Sequence, residues 1–208
     1  MNNLILNFVR FIALLAFLLS YNTQAQVLKE KSKSQGNLVN GLKEGEWLFF
    51  YPDGKIMAKE MYKEDELSGK SNSYFPDGKL SSTENWVEDL QEDSAFYYHN
   101  NGTLNRKGIY EKGVYQGLWL TFFENGKLSQ TVYYVDGLPE GPSKNWYESG
   151  LIQEEGFYEN GKKHGQFVFY VEKKGSPIGL ISNYKKDKEV GVWIYFNKRG
   201  NIERLQRF

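Results

Sequence analysis

The sequence predicts an all-β chain, an elongated, twisted antiparallel meander of about seven tandem 24-residue β-hairpin repeats in a single-layer sheet. Three observations predict it. A glycine recurs every 24 residues at Gly45, Gly69, Gly117, Gly141 and Gly165, then at Gly191 after 26, the mark of one supersecondary unit stacked on copies of itself. An aromatic residue follows each repeat start at a fixed offset, and turn dipeptides punctuate the intervals. Asp93 stands in the single slot that lacks its glycine, so seven units keep register.

Counting each unit from its glycine as position one, position six is aromatic throughout: Phe50, Tyr74, Tyr98, Phe122, Trp146, Tyr170 and Phe196. Position twelve is Ile56, Leu80, Leu104, Leu128, Ile152, Ile178 and Ile202, provided that the two extra residues of the sixth unit lie between Tyr170 and Ile178. Position eighteen is aromatic again, from Tyr62 to Phe208. Between six and twelve lie Pro52-Asp53-Gly54, Pro76-Asp77-Gly78, Asn101-Gly102, Asn125-Gly126, Ser149-Gly150 and Arg199-Gly200. Such pairs supply the positive φ that tight hairpin connections demand. A second turn follows position eighteen, clear at Asn40-Gly41, Asp136-Gly137 and Asn160-Gly161 and weaker at Asp65, Asp89 and Asp187. Each unit thus reads as one hairpin and one return.

Alternation along regular strands puts positions four, six, twelve and eighteen on one face, read as structural, and positions three, five and seven on the other. The second face varies from unit to unit. Its candidate partner-binding residues are Trp47, Phe49 and Tyr51 in the first unit, Trp119 and Phe123 in the fourth, Tyr147 in the fifth, and Trp193 and Tyr195 in the seventh. Alternating aromatics there form a groove suited to gripping a chain or a flat ligand. Covering a thin sheet is the competing role for the same side chains.

Residues 1–25 read as a signal peptide: Arg10, the apolar run Phe11 to Leu19, and a small-residue exit at Ala25 have the layout of a secretory leader. Residues 26–44 are a lead-in with a partial repeat, and 45–208 hold the seven units. Export to the periplasm, envelope or medium follows. Without Arg10 the chain has 25 Lys+Arg against 26 Asp+Glu. That balance weighs against nucleic acid as a partner, since phosphate contacts call for a basic excess. The absence of cysteine excludes disulfides, thiolate metal sites and cysteine nucleophiles.

No constellation of reactive residues emerges, so neither an enzyme, a cofactor nor a metal is expected. His99 and His164 lie more than two repeats apart. The acidic run Glu84, Glu88, Asp89, Glu92 and Asp93 lacks the alternating ligands and central glycine of a calcium loop. Lys198, Arg199, Arg204 and Arg207 read as charges protecting a terminal strand from unwanted pairing. The insertion Glu172 to Pro177 is a candidate contact loop.

The pattern Gly-x-Trp-x-x-Phe-[Tyr/Phe]-x-[Asp/Asn]-Gly-Lys-[Ile/Leu], whole at Gly45 to Ile56 and Gly117 to Leu128, resembles the MORN-repeat variant family over residues 38–208. Ser71, Ala95 and Ser143 depart from it at the tryptophan. The resemblance implies a non-catalytic scaffold for protein contact, or for membranes in the original MORN proteins. Similar bacterial chains are often labelled antitoxins of a toxin–antitoxin pair, which implies a protein partner. The expectation is therefore an exported repeat scaffold binding a protein or peptide. A glycan-binding module and a membrane-surface module are the alternatives.

Overall fold

The computed structural model describes residues 34–208, and the signal-peptide reading lies outside them. The described chain forms a single 18-stranded sheet. Its strands are β1 (Ser34–Val39), β2 (Leu42–Phe50), β3 (Ile56–Lys63), β4 (Glu66–Leu67), β5 (Gly69–Tyr74), β6 (Leu80–Val87), β7 (Leu90–Gln91), β8 (Asp93–Tyr98) and β9 (Leu104–Glu111). They continue with β10 (Val114–Phe122), β11 (Leu128–Val135), β12 (Leu138–Trp146), β13 (Ile152–Glu159), β14 (Lys162–Tyr170), β15 (Ile178–Lys185), β16 (Lys188–Glu189), β17 (Val192–Phe196) and β18 (Ile202–Arg207). Each pairs antiparallel with its neighbours in the chain, as the meander reading expected. The predicted strands account for all but one of these segments: the first strand of units two, three and seven is split in two, and β1 adds the second strand of a partial unit.

Turn chemistry explains the connections. At the second turn both central residues take positive φ, as in Asn40 (53°) and Gly41 (85°) or Asp136 (50°) and Gly137 (78°). That is the two-residue connection whose twist matches the strands. At the first turn Gly54 turns left-handed and donates to the Tyr51 carbonyl at 2.9 Å, while the Tyr51 amide reaches the Lys55 carbonyl at 2.8 Å. Position one also demands positive φ, and Asp93 meets it at 62°, a conformation that aspartate tolerates better than most residues. Tyr170 pairs with Ile178, so the extra residues of unit six do sit in its hairpin turn.

One expectation is corrected. In every hairpin the register shifts between positions five and six, as between Phe49 and Phe50. Phe49 pairs with Ala58 but Phe50 pairs with Ile56, which leaves one extra residue on the second strand. Such a bulge flips every later side chain to the opposite face. Position eighteen therefore shares a face with positions three and five, while four, six and twelve lie together on the other. The residues buried among those described occupy positions three, fourteen, sixteen and eighteen, all on the first of these faces. This packed face is the core side, and the opposite one is the open face.

Both long rims are stitched unit to unit. Along the first-turn rim the Lys55 ammonium donates to the Pro76 carbonyl at 2.8 Å, Lys79 to Asn100 at 2.9 Å and Lys127 to Ser149 at 2.7 Å. Along the second-turn rim the Asp89 amide donates to the Leu67 carbonyl and Asp89 Oδ1 accepts from the Leu67 amide. Asp187 and Lys163 repeat that exchange. Nearest-neighbour ties of this kind hold a repeat array together.

Candidate binding surface

The tryptophans offered by the sequence as a binding stripe are packed. Trp47, Trp119 and Trp193 are 8 %, 4 % and 8 % exposed. Each indole N–H donates to a carbonyl ten residues earlier, Asn37 at 3.1 Å, Ile109 at 3.1 Å and Asn183 at 3.2 Å. Position three is thus the centre of the core, a correction that follows from the bulge. A buried indole without that acceptor would forfeit a hydrogen bond.

What fills position three depends on position sixteen of the preceding unit, the residue beside it on the neighbouring strand. Gly36, Gly108 and Gly156 stand against Trp47, Trp119 and Phe167, and a β-carbon at any of the three glycines would collide with the ring. Ser182 precedes Trp193 in the same way. Where position three is small, position sixteen is large: Glu60 with Ser71, Glu84 with Ala95 and Val132 with Ser143. Close packing at constant volume accounts for the inverse relation.

The large rings gather in three islands. Trp47 and Phe49 flank Tyr62. Tyr110 and Tyr115 flank Trp119 at 5.2 Å and 4.2 Å, with Tyr134 beyond. Tyr158, Phe167, Tyr184, Trp193 and Phe208 form a continuous row with centroids 4.7–5.7 Å apart. A cation lies over each island: Lys43 at 4.2 Å from the Tyr62 ring, Arg106 at 4.6 Å from Tyr97, and Lys163 at 4.6 Å from Phe167. Arg204 adds a fourth, 3.9 Å above Tyr195. Sequence reading missed Lys43, Arg106 and Lys163. All three share a face with position three; Lys43 and Lys163 do so by simple alternation along β2 and β14, and Arg106 only after the bulge is counted.

Burial and hydrogen bonding push the phenols of this face upward. Burial and then the bonds to Glu84 and Tyr110 raise Tyr97 well above the ordinary tyrosine range. Burial raises Tyr110 to about 12 against the opposing pull of its bond to Tyr97. Tyr62 rises through burial and its bond to Glu60. Conversely, the Lys144 hydrogen bond holds Glu155 below the usual carboxylate range. These phenols stay protonated at neutral pH and act as packing groups.

The remaining sequence candidates are half-buried. Tyr51 and Tyr147 donate through their hydroxyls to the carbonyls of Tyr74 and Tyr170 in the next unit, at 2.7 and 2.8 Å. Tyr195 bonds Gln206 at 3.3 Å, Phe49 packs on Tyr62, and Phe123 opens the fourth first turn. His99 donates from Nε2 to the Phe122 carbonyl and accepts at Nδ1 from Asn105, so both ring nitrogens are engaged. In the acidic run, Asp89 accepts from the Leu67 amide, Glu92 from the Lys112 amide and Glu84 from Tyr97 and Gln91. No group of three or more metal-ligating side chains occurs among the described residues.

The open face carries what the sequence did not flag. Ile109, Leu118, Tyr133, Val135, Leu138 and Phe157, on the five adjacent strands β9 to β13, are 40–53 % exposed. Leu118 pairs with Tyr133 and Val135 with Leu138, so the apolar surface runs from strand to strand. Positions two and seventeen supply most of it, and polar residues such as Lys70 and Asn85 hold those places in unit two.

Residues 43–64, 115–136 and 139–160 match the MORN repeat variant family. These segments are the first, fourth and fifth units, each with the two residues before its glycine. No curated protein matches the chain. Three of the seven units thus match MORN-variant repeats in register, and the same bulged hairpin recurs in all seven.

Proposed function

We propose that this chain is a non-enzymatic, exported scaffold that binds a protein or peptide partner through its open face. The exposed apolar surface of units three to five carries the reading. Patches of contiguous apolar side chains on a soluble surface mark contact sites, and this one sits where the repeat could have placed polar residues, as it does in unit two. Export rests on the leader-like residues 1–25. A scaffold role also fits the fate of the polar groups, since the carboxylates and lysines at the turns are spent in joining one unit to the next.

In-cell crosslinking of the tagged chain, followed by mass spectrometry of envelope and medium, tests it. The expected result is one dominant protein, lost when Leu118→Ser and Phe157→Ser are introduced together while the circular dichroism stays unchanged. Recovery of wall polymer or lipid with no consistent protein would overturn the reading in favour of the glycan or membrane alternative.

A further inference from the structure

We propose that Arg106, with the rings of Tyr97, Tyr115 and Trp119, forms a carboxylate-binding site on the packed face for an acidic, extended peptide. The Arg106 guanidinium carbon stands 4.6 Å from the centroid of Tyr97, 5.2 Å from Trp119 and 5.4 Å from Tyr115. The side chain is half-buried, and among the described residues it makes neither an ion pair nor a side-chain hydrogen bond. Its N–H groups are therefore not taken up by another side chain, and a guanidinium presents them as a fork that matches a carboxylate with two parallel hydrogen bonds.

Four lysines of the chain are already paired with carboxylates. Lys163 is already 3.8 Å from Glu154, Lys144 is 2.6 Å from Glu155, and Lys55 and Lys79 are held by Asp53 and Asp77. Glu84, the acid that meets the same island, is occupied by the Tyr97 hydroxyl and the Gln91 amide. Arg106 thus offers an unmet set of donors in a partly desolvated aromatic setting, where a charge-assisted bond is stronger than at an open surface. Lys43, 4.2 Å over Tyr62 and 5.3 Å over Trp47, repeats the cation on rings at the first island. The site is independent of the apolar surface on the opposite face, so the two proposals fail separately.

The test uses fluorescein-labelled hexaglutamate, with hexaglutamine as the neutral control, titrated against the whole chain by fluorescence anisotropy. Hexaglutamate is expected to bind at least tenfold more tightly. R106Q is expected to remove that preference, and R106K to restore only part of it, because an ammonium cannot form the bidentate pair. Equal binding of the two peptides, or an undiminished preference in folded R106Q, overturns the proposal. The Arg106 Nε–Hε NMR signal of the unmutated chain provides a readout that does not depend on a variant's folding. A saturable shift with hexaglutamate supports the site, and a static signal removes it. Phosphatidylserine vesicles are run beside the peptides, and Arg106-dependent binding to vesicles without any response to hexaglutamate also overturns it.

Discussion

Units one, four, six and seven place a large ring at position three, whereas units two, three and five place Ser71, Ala95 and Ser143 there. Both kinds bury the position almost completely, so the difference lies in which strand supplies the volume. In the first kind the ring crosses to the preceding strand and lies on glycine or serine. In the second, Glu60, Glu84 or Val132 stands on the preceding strand beside a small residue. A sheet of near-copies can therefore vary at its most buried position, provided that the partner one strand away varies with it. Variation among repeats is here a sign of coupled packing rather than of a binding stripe.

Breaking the large-ring kind outright should have the largest effect. Trp119→Ala removes the centre of the middle island, and a loss of about 3–5 kcal/mol is expected for a buried tryptophan truncated to alanine. Denaturant unfolding monitored by circular dichroism measures it, and a loss below about 1 kcal/mol would show that the ring is not core.

The exchange rule itself is sharpened by Gly108→Val, which puts a side chain where the Trp119 ring lies and should cost about 1–3 kcal/mol by overpacking. Adding Trp119→Ser copies the Val132 and Ser143 arrangement of the next unit. The double variant should then be more stable than the sum of the single losses predicts, by about 0.5–3 kcal/mol in a double-mutant cycle. Strict additivity would remove the rule.

Tyr110→Phe probes the hydroxyl network of the same island. Losing the 3.0 Å contact with Tyr97 should cost about 1 kcal/mol at neutral pH. The pH dependence carries a second signature. The folded pKa of Tyr110 is raised to about 12 above an unfolded value of about 10, so the folded state holds the proton more tightly. Its contribution is fully present below about pH 10 and is lost as the pH rises toward 12. The wild type should therefore lose stability across that window, and Y110F should lose it less steeply. Parallel slopes in the two proteins would contradict this.

The smallest effect is expected where one unit departs from the others in its backbone. Asp93 holds the left-handed conformation that glycine takes at the start of the other units. Asp93→Gly should gain about 0.5 kcal/mol, the relief of the side-chain clash less the extra entropy of an unfolded glycine. A loss of stability would mean that the 3.1 Å bond from the Ser94 hydroxyl to Asp93 outweighs the strain.

Much of this molecule is legible in its sequence because turn residues and strand residues obey local rules. Asn-Gly, Asp-Gly and the repeating glycine determine where the backbone must go left-handed, and the spacing between them determines strand length and the meander. Even Asp93 is placed by register alone. The sides of the sheet are a different matter. A single bulged residue between positions twelve and fourteen reverses the alternation, and a pattern of period two carries no mark of where one residue is skipped. Tertiary structure alone decided that Trp47, Trp119 and Trp193 point into the packed face with the position-eighteen aromatics, that Arg106 lies over their rings, and that Leu118 and Phe157 face solvent. The physical reason is that backbone conformation is set by neighbours in the chain, whereas a side chain's burial is set by neighbours across the sheet.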